Sequence, residues 1–247
     1  MNRTFRADDW DSYRMEYGRP HRELEPPERE EKVVDRALNV LVEENILPHG
    51  RYDRALFLAH RRAVREQFEI PWTAITPRMQ RFIYAINAIH EPSNIIAAGI
   101  FCGFTFICNA GAAVGPGACY GAANLIGVEI DADRASLARG NVQKIDPEGK
   151  TSIIAADAVD VVRDVESEIE LLYLDADGAG GRGKGIYYDI LQAALAKIPD
   201  GGLVLAHNSV NCRHDLRHYL EFVRDETQFR ASVNVILDSE GLEVSSK

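Results

Sequence analysis

The spacing of apolar residues changes character about a third of the way along the chain. In the first part they recur every three or four positions. Val33, Val34, Ala37, Leu38 and Leu41 form one such series, the interval that gathers side chains on one face of an α-helix. Glu25-Pro26-Pro27-Glu28 stands in front of it. Proline suits a first helical turn, whose N–H groups have no intrahelical acceptor. The series predicts a helix from there to about Asn45. Ala55, Leu56, Leu58, Ala63 and Val64 predict a second over Tyr52 to Phe68. Thr76-Pro77 opens a third, with Thr76 as N-cap and Met79, Phe82, Ile83, Ile86 and Ile89 as its apolar face. Residues 1 to about 26 are polar, with Trp10, Tyr13 and Tyr17 interspersed. They show little periodicity and read as a mobile arm.

Beyond residue 94 short apolar runs take over. Ile95 to Ala98, Leu125 to Ile130, Ser152 to Ala155, Glu170 to Asp175 and Leu203 to His207 read as strands. Each is followed by a helical stretch: from about Phe104, over Asp133 to Asn141, from Val159, over Gly185 to Lys197, and over His214 to Arg224. Strands alternating with helices imply parallel pairing, with right-handed crossovers placing helices on both faces. Ala231 to Leu237 and Leu242 to Ser245, joined by DSEG, read as a closing antiparallel hairpin. The expected fold is therefore α/β: a doubly wound sheet of seven strands with a terminal hairpin and an N-terminal helical extension. Residues 1–75 are assigned to an arm and helical lid, and 76–247 to the main domain.

Composition narrows the class. The chain has 247 residues, 46% hydrophobic and 27% charged, enough for one large α/β domain plus an extension. Its net charge of −10 argues against a nucleic-acid partner, which needs clustered Lys and Arg. Cys102, Cys108, Cys119 and Cys212 show no C-x-x-C spacing and read as reduced core thiols. The start, MNRTFRADDW, has no apolar segment of a secretory leader, and no apolar run approaches a membrane span. A cytoplasmic protein with no membrane partner is expected.

In a doubly wound sheet, ligands bind outside the carboxyl ends of the strands. Five short stretches fall there: Gly99 to Gly103, Glu129 to Asp131, Ala156 with Asp157, Asp175 to Gly178, and His207 with Asn208. The first lies in NIIAAGIFCGFTF, Asn94 to Phe106, a strand, glycine turn and helix start. In such a turn Ala97 stands where an acid is usual, and Phe101 where a glycine is usual. Glu129 ends its strand, where a carboxylate can accept both ribose hydroxyls of an adenosine. It could instead cap the next helix, although Asp131 is better placed to do so. Asp157 suits either an adenine amino group or the cap of the helix from Val159. Asp175 and Asp177 point to metal or substrate contact, or to a solvated turn. His207 is open between a functional and a structural role. Gly178 to Gly185 (GAGGRGKG) lacks the serine or threonine of a phosphate loop and reads as a flexible loop over the site.

Taken in order, these stretches resemble class I S-adenosylmethionine-dependent methyltransferases with a Rossmann-like sheet, specifically the catechol and caffeoyl-CoA O-methyltransferase group. The similar segments are Ile75-Thr76-Pro77, Gly99 to Gly103, GVEID at 127 to 131, AADA at 155 to 158, LLYLDAD at 171 to 177 and DGGLVLAHN at 200 to 208. The resemblance covers roughly 170 residues. It implies S-adenosylmethionine as cofactor, with Gly99, Phe101, Gly103 and Glu129 around it, joined by Ile130, Ala156, Asp157 and Asp175. Asp175, Asp177 and His207 become the catalytic candidates, and Lys184 a weaker one. Asn208, Tyr17 and Tyr187 become substrate contacts; the family's K-x-x-Y is matched by Lys184 to Tyr187, after an insertion. Metal-binding members of the group place an Asp at the fourth strand end and an Asp-Asn pair at the fifth. Here the middle ligand is His207, a poor partner for a hard cation, so no metal is expected; a softer ion on Asp175 and His207 is the alternative.

The leading expectation is methyl transfer to a small-molecule acceptor. The departures at Ala97 and Phe101 raise a second: the cofactor's own amino group attacks its γ-carbon, giving azetidine-2-carboxylate and methylthioadenosine. A third is a non-catalytic adenosine-binding module. The resemblance also leaves a homodimer open.

Overall fold

In the computed structural model, which describes residues 3–247, the helices begin where their first residues dictate. Asp53, Thr76, Asp131 and Asp157 are extended, and each side chain accepts backbone N–H groups of the turn that follows. These caps satisfy donors that otherwise lack partners. They start α2 (Arg54–Gln67), α3 (Pro77–His90), α5 (Ala132–Ile145) and α6 (Ala158–Asp164). The other helices are α1 (Pro27–Glu43), α4 (Phe104–Ala110), α7 (Ile186–Ala194) and α8 (Arg217–Val223).

All seven expected strands form: β2 (Asn94–Ala98), β3 (Asn124–Glu129), β4 (Thr151–Ala155), β5 (Leu171–Leu174), β6 (Leu203–His207), β7 (Ala231–Ile236) and β8 (Leu242–Ser246). An eighth, β1 (Arg3–Arg6), comes from the N-terminal arm and pairs parallel with β7, Phe5 opposite Val235. The mobile-arm expectation therefore fails for this segment. Four residues with one apolar side chain carry no period; the open edge of β7 recruits them, which covers an unpaired row of backbone groups. The first two residues of the predicted arm lie outside the described residues.

The sheet order is β1-β7-β8-β6-β5-β2-β3-β4, with β8 the antiparallel member. The chain winds outward from β2 through β3 to β4, then returns to start the other half at β5. Strand alternation divides the core. Ile95 and Ala97 face α1 to α5, while Ile96 and Ala98 face α6 to α8. Helices α1 and α2 share the first of these cores with the sheet. No helix among the described residues is long and apolar enough to cross a membrane.

Glu30 joins α1 to its neighbours. It is buried, with Arg81 of α3 donating to Oε1 and Arg61 of α2 donating to Oε2 at 2.9 Å. Truncating one member of such a cluster leaves buried charge without compensation. Glu30→Ala is predicted to cost about 3–5 kcal/mol, measured by urea unfolding; a cost under about 1 kcal/mol would show that the arginines find water or other partners.

Candidate active site

Strand β2 ends at Ala98, and Gly99 turns the chain with φ +80°. A Cβ here would lie 2.3 Å from backbone atoms of Ala176, just beyond β5. Only glycine lets the two strand ends approach so closely. Ala97 is fully buried and faces the α1 to α5 core, where a carboxylate would be taken out of water.

Phe101 occupies the left-handed region at φ +49°, an uncommon state for a bulky residue. Two contacts hold it. Its N–H donates to Glu129 Oε2 at 2.8 Å, and its ring packs on Trp72 with centroids 5.2 Å apart. The Arg134 guanidinium lies 5.5 Å from the same ring. Asn141, a buried residue of α5, donates to Glu69 O and Cys102 O and accepts from Glu69 N. Asn141 thus ties the segment before Trp72 to the glycine turn.

Glu129 Oε1 also accepts from Asp131 N at 3.2 Å. Asp131 caps α5 as expected, which leaves Glu129 to the cleft. Asp157 both caps α6 and lines the cleft. Ile130, next to Glu129, is 64% exposed, an unusual setting for isoleucine.

The ends of β5 and β6 form a charged floor. GAGGRGKG closes into a tight turn with a Gly178–Gly183 bridge, which returns Lys184 to the end of β5. Lys184 Nζ donates to Asp175 O at 2.8 Å and Oδ1 at 3.0 Å, and reaches Asp177 Oδ2 at 3.5 Å. His207 Nδ1 lies 3.3 Å from Asp175 Oδ2, and Nε2 lies 3.1 Å from Glu240 Oε2. Burial alone would lower the His207 pKa; Asp175 and then Glu240 outweigh it and raise it to about 10. Burial would raise Asp175, but Lys184 and His207 hold it below the usual carboxylate range. Lys184, lowered by burial, is raised overall by Asp175 and Asp177. The floor therefore sets Lys184 and His207 on either side of Asp175, with Asp177 and Glu240 as their outer partners.

Both oxygens of Asp175 are thus taken by side-chain cations. A divalent ion would have to displace the ammonium and lie beside a second positive charge. The residues present do not fit one. Asp175 and Glu240 hold His207 toward its charged form.

These groups surround a cleft of about 370 Å³. Of the expected site residues it gathers Gly99, Phe101, Glu129, Ile130, Ala156 and Asp157 together with Asp175, Asp177, His207, Asn208 and Tyr17. Two do not reach it. Gly103 caps α4 and packs against α5, where a Cβ would lie 3.0 Å from Val142. Tyr187, in the first turn of α7, is fully buried, edge-on to Tyr219 at 6.0 Å, so it is a core residue and not a substrate contact. The sequence reading missed Trp72, Glu240 and Asn141. The signal for Asn141 was available: a lone amide on the apolar face of a helix.

Comparisons with known proteins agree on the fold. No protein-family model matches the chain, and no curated protein matches its sequence. Solved structures do. An SAH-bound methyltransferase from Podospora anserina is 12% identical, with a TM-score of 0.61 over 92% of this chain and 99% of that one. The O-methyltransferase TomG from Streptomyces achromogenes, in complex with SAM, is 16% identical, TM-score 0.57, over 79% and 90%. An O-methyltransferase from Bacillus cereus, in complex with SAH, is 17% identical, TM-score 0.56, over 80% and 92%. The chain has the Rossmann-like fold of these enzymes.

The charged floor makes stability depend on pH. His207 is raised in the folded protein from an ordinary 6.5 to about 10. Its stabilisation is complete below about pH 6.5 and is lost as pH rises through 10. Unfolding free energy is predicted to fall between pH 6.5 and 10 in denaturant titrations, and His207→Gln should flatten that fall. Equal slopes in both proteins would place the titrating group elsewhere.

Proposed function

We propose that the protein is an S-adenosylmethionine-dependent transferase that methylates a small-molecule acceptor without a metal ion. One observation carries this reading. Among the described residues, the large apolar side chains that stand exposed are Tyr17, Leu58, Trp72 and Ile130, and three of the four line the cleft that Glu129 also lines. Exposed apolar surface beside a few convergent polar groups is the usual form of a small-molecule site. The cofactor-bound structures that share the fold support the same choice of ligand.

The residues fit an adenosine. Glu129, fixed by the N–H groups of Phe101 and Asp131, has lone pairs left for ribose hydroxyls. Ile130 would cover a face of the adenine, with Ala156 and Asp157 at its edge. Gly99 keeps the backbone of the first turn free of side chains, and Phe101 and Trp72 offer aromatic faces to a cation. The bound cofactor would supply a sulfonium with an electrophilic methyl carbon.

The floor would serve the acceptor. Lys184 and His207 are cationic, so an acceptor hydroxyl placed beside them ionises more readily. The long third contact of Lys184, to Asp177 at 3.5 Å, is the one an acceptor oxygen would replace. Asp177 is largely exposed and can pass the released proton to water. Stabilising the developing anion in this way takes over the work of a strong base. Asp175 orients both cations and is not itself the proton acceptor. The unpaired cysteines and acidic charge fit a cytoplasmic enzyme acting on small molecules.

Calorimetry is predicted to show S-adenosylmethionine binding that Glu129→Gln weakens by about 10- to 100-fold, the worth of hydrogen bonds to a charged group. Incubation with a panel of hydroxyl and amine acceptors should then give S-adenosylhomocysteine, at a rate unchanged by a chelator. No binding would reject the reading. Methylthioadenosine formed without any acceptor would replace methyl transfer by internal ring closure.

A further inference from the structure

Residues 9 to 25 leave the protein body and return to one side chain. Arg78, in the first turn of α3, is completely buried. It donates to Asp9 Oδ1 at 2.7 Å and Oδ2 at 3.1 Å. It donates to Glu25 Oε1 at 2.6 Å and Oε2 at 2.7 Å. A further bond reaches Leu237 O, and the Tyr13 ring lies over the guanidinium at 3.7 Å. One arginine thus closes both ends of a surface loop, in the manner of an Ω-loop.

The loop is tethered between its ends on two sides. Ser239 N–H donates to Tyr13 O at 3.4 Å, next to Glu240, the partner of His207. Beyond Tyr17, Glu23 pairs with Arg65 of α2 at 2.7 Å. Tyr17 lies between these tethers. It is 56% exposed, yet lines the cleft together with Trp72. A buried arginine with two carboxylates is a poor source of stability, because desolvation consumes most of the attraction. What the cluster does supply is a fixed place for the loop.

We propose that the Asp9–Glu25 loop is a fixed roof over the cleft, that Tyr17 is its contact with the bound nucleoside, and that Arg78 is the positioning residue that holds Tyr17 there. The inference rests on reading the cleft as an S-adenosylmethionine site. It adds a ligand contact from outside the sheet and assigns the buried arginine a role in binding. Tyr17 would act through its ring.

The test uses S-adenosylhomocysteine as probe, titrated by calorimetry into the full chain. Tyr17→Ala is expected to raise Kd about tenfold, as loss of an aromatic contact does, while Tyr17→Phe stays near the parent value. Arg78→Met should weaken binding by a similar factor. The double variant should be no worse than either single one, since both remove the same contact. If Arg78→Met does not fold, the pair Asp9→Asn with Glu25→Gln removes the tether charges at constant volume and is read in the same way. Binding by Tyr17→Ala within twofold of the parent, or additive losses in the double variant, would overturn the inference alone. No binding by the parent protein would overturn the function reading and this inference together.

Discussion

The close approach of Gly99 to Ala176 is the constraint on which the rest of the site depends. Strands β2 and β5 are neighbours in the sheet, but the chain leaves them for opposite halves of the fold. Their following loops must separate within a residue or two. A glycine at φ +80° allows the backbones to meet at that point, and the cleft opens where the loops part. Phe101, Glu129 and Asp175 then fall on its walls because each sits at a strand end or within three residues beyond it.

Charge decides what this cleft can hold. A carboxylate at the end of β5 would ordinarily be free to bind a cation or accept a proton. Here it is engaged on both oxygens by side chains from two different connections, Lys184 from the glycine-rich turn and His207 from β6. Burial strengthens the pairing because little water competes. The result is a floor of paired charges, with Lys184 and His207 set against Asp175, Asp177 and Glu240.

The N-terminal region has a structural logic separate from the sheet's. Its helices join the main core through apolar faces, while its first strand and its loop are held by backbone pairing and by ion pairs. Residues with no apolar period, such as Arg3–Arg6 and Asp9, are therefore as firmly placed as those of the helices.

The sequence alone determined the alternation of strands and helices, the seven strands of the main sheet, the helix caps at Asp131 and Asp157, and the set of strand ends where chemistry gathers. These depend on local rules: side-chain period, capping oxygens, and glycine where φ is positive. Tertiary structure alone decided that Arg3–Arg6 completes the sheet edge, that Tyr187 turns into the core, and that Lys184 folds back to neutralise Asp175. It also decided that Asn141 bonds Glu69 and Cys102, and that Arg78 gathers Asp9 and Glu25. Each of these is set by packing or by the pairing of buried charges between separate segments, and no local pattern encodes it.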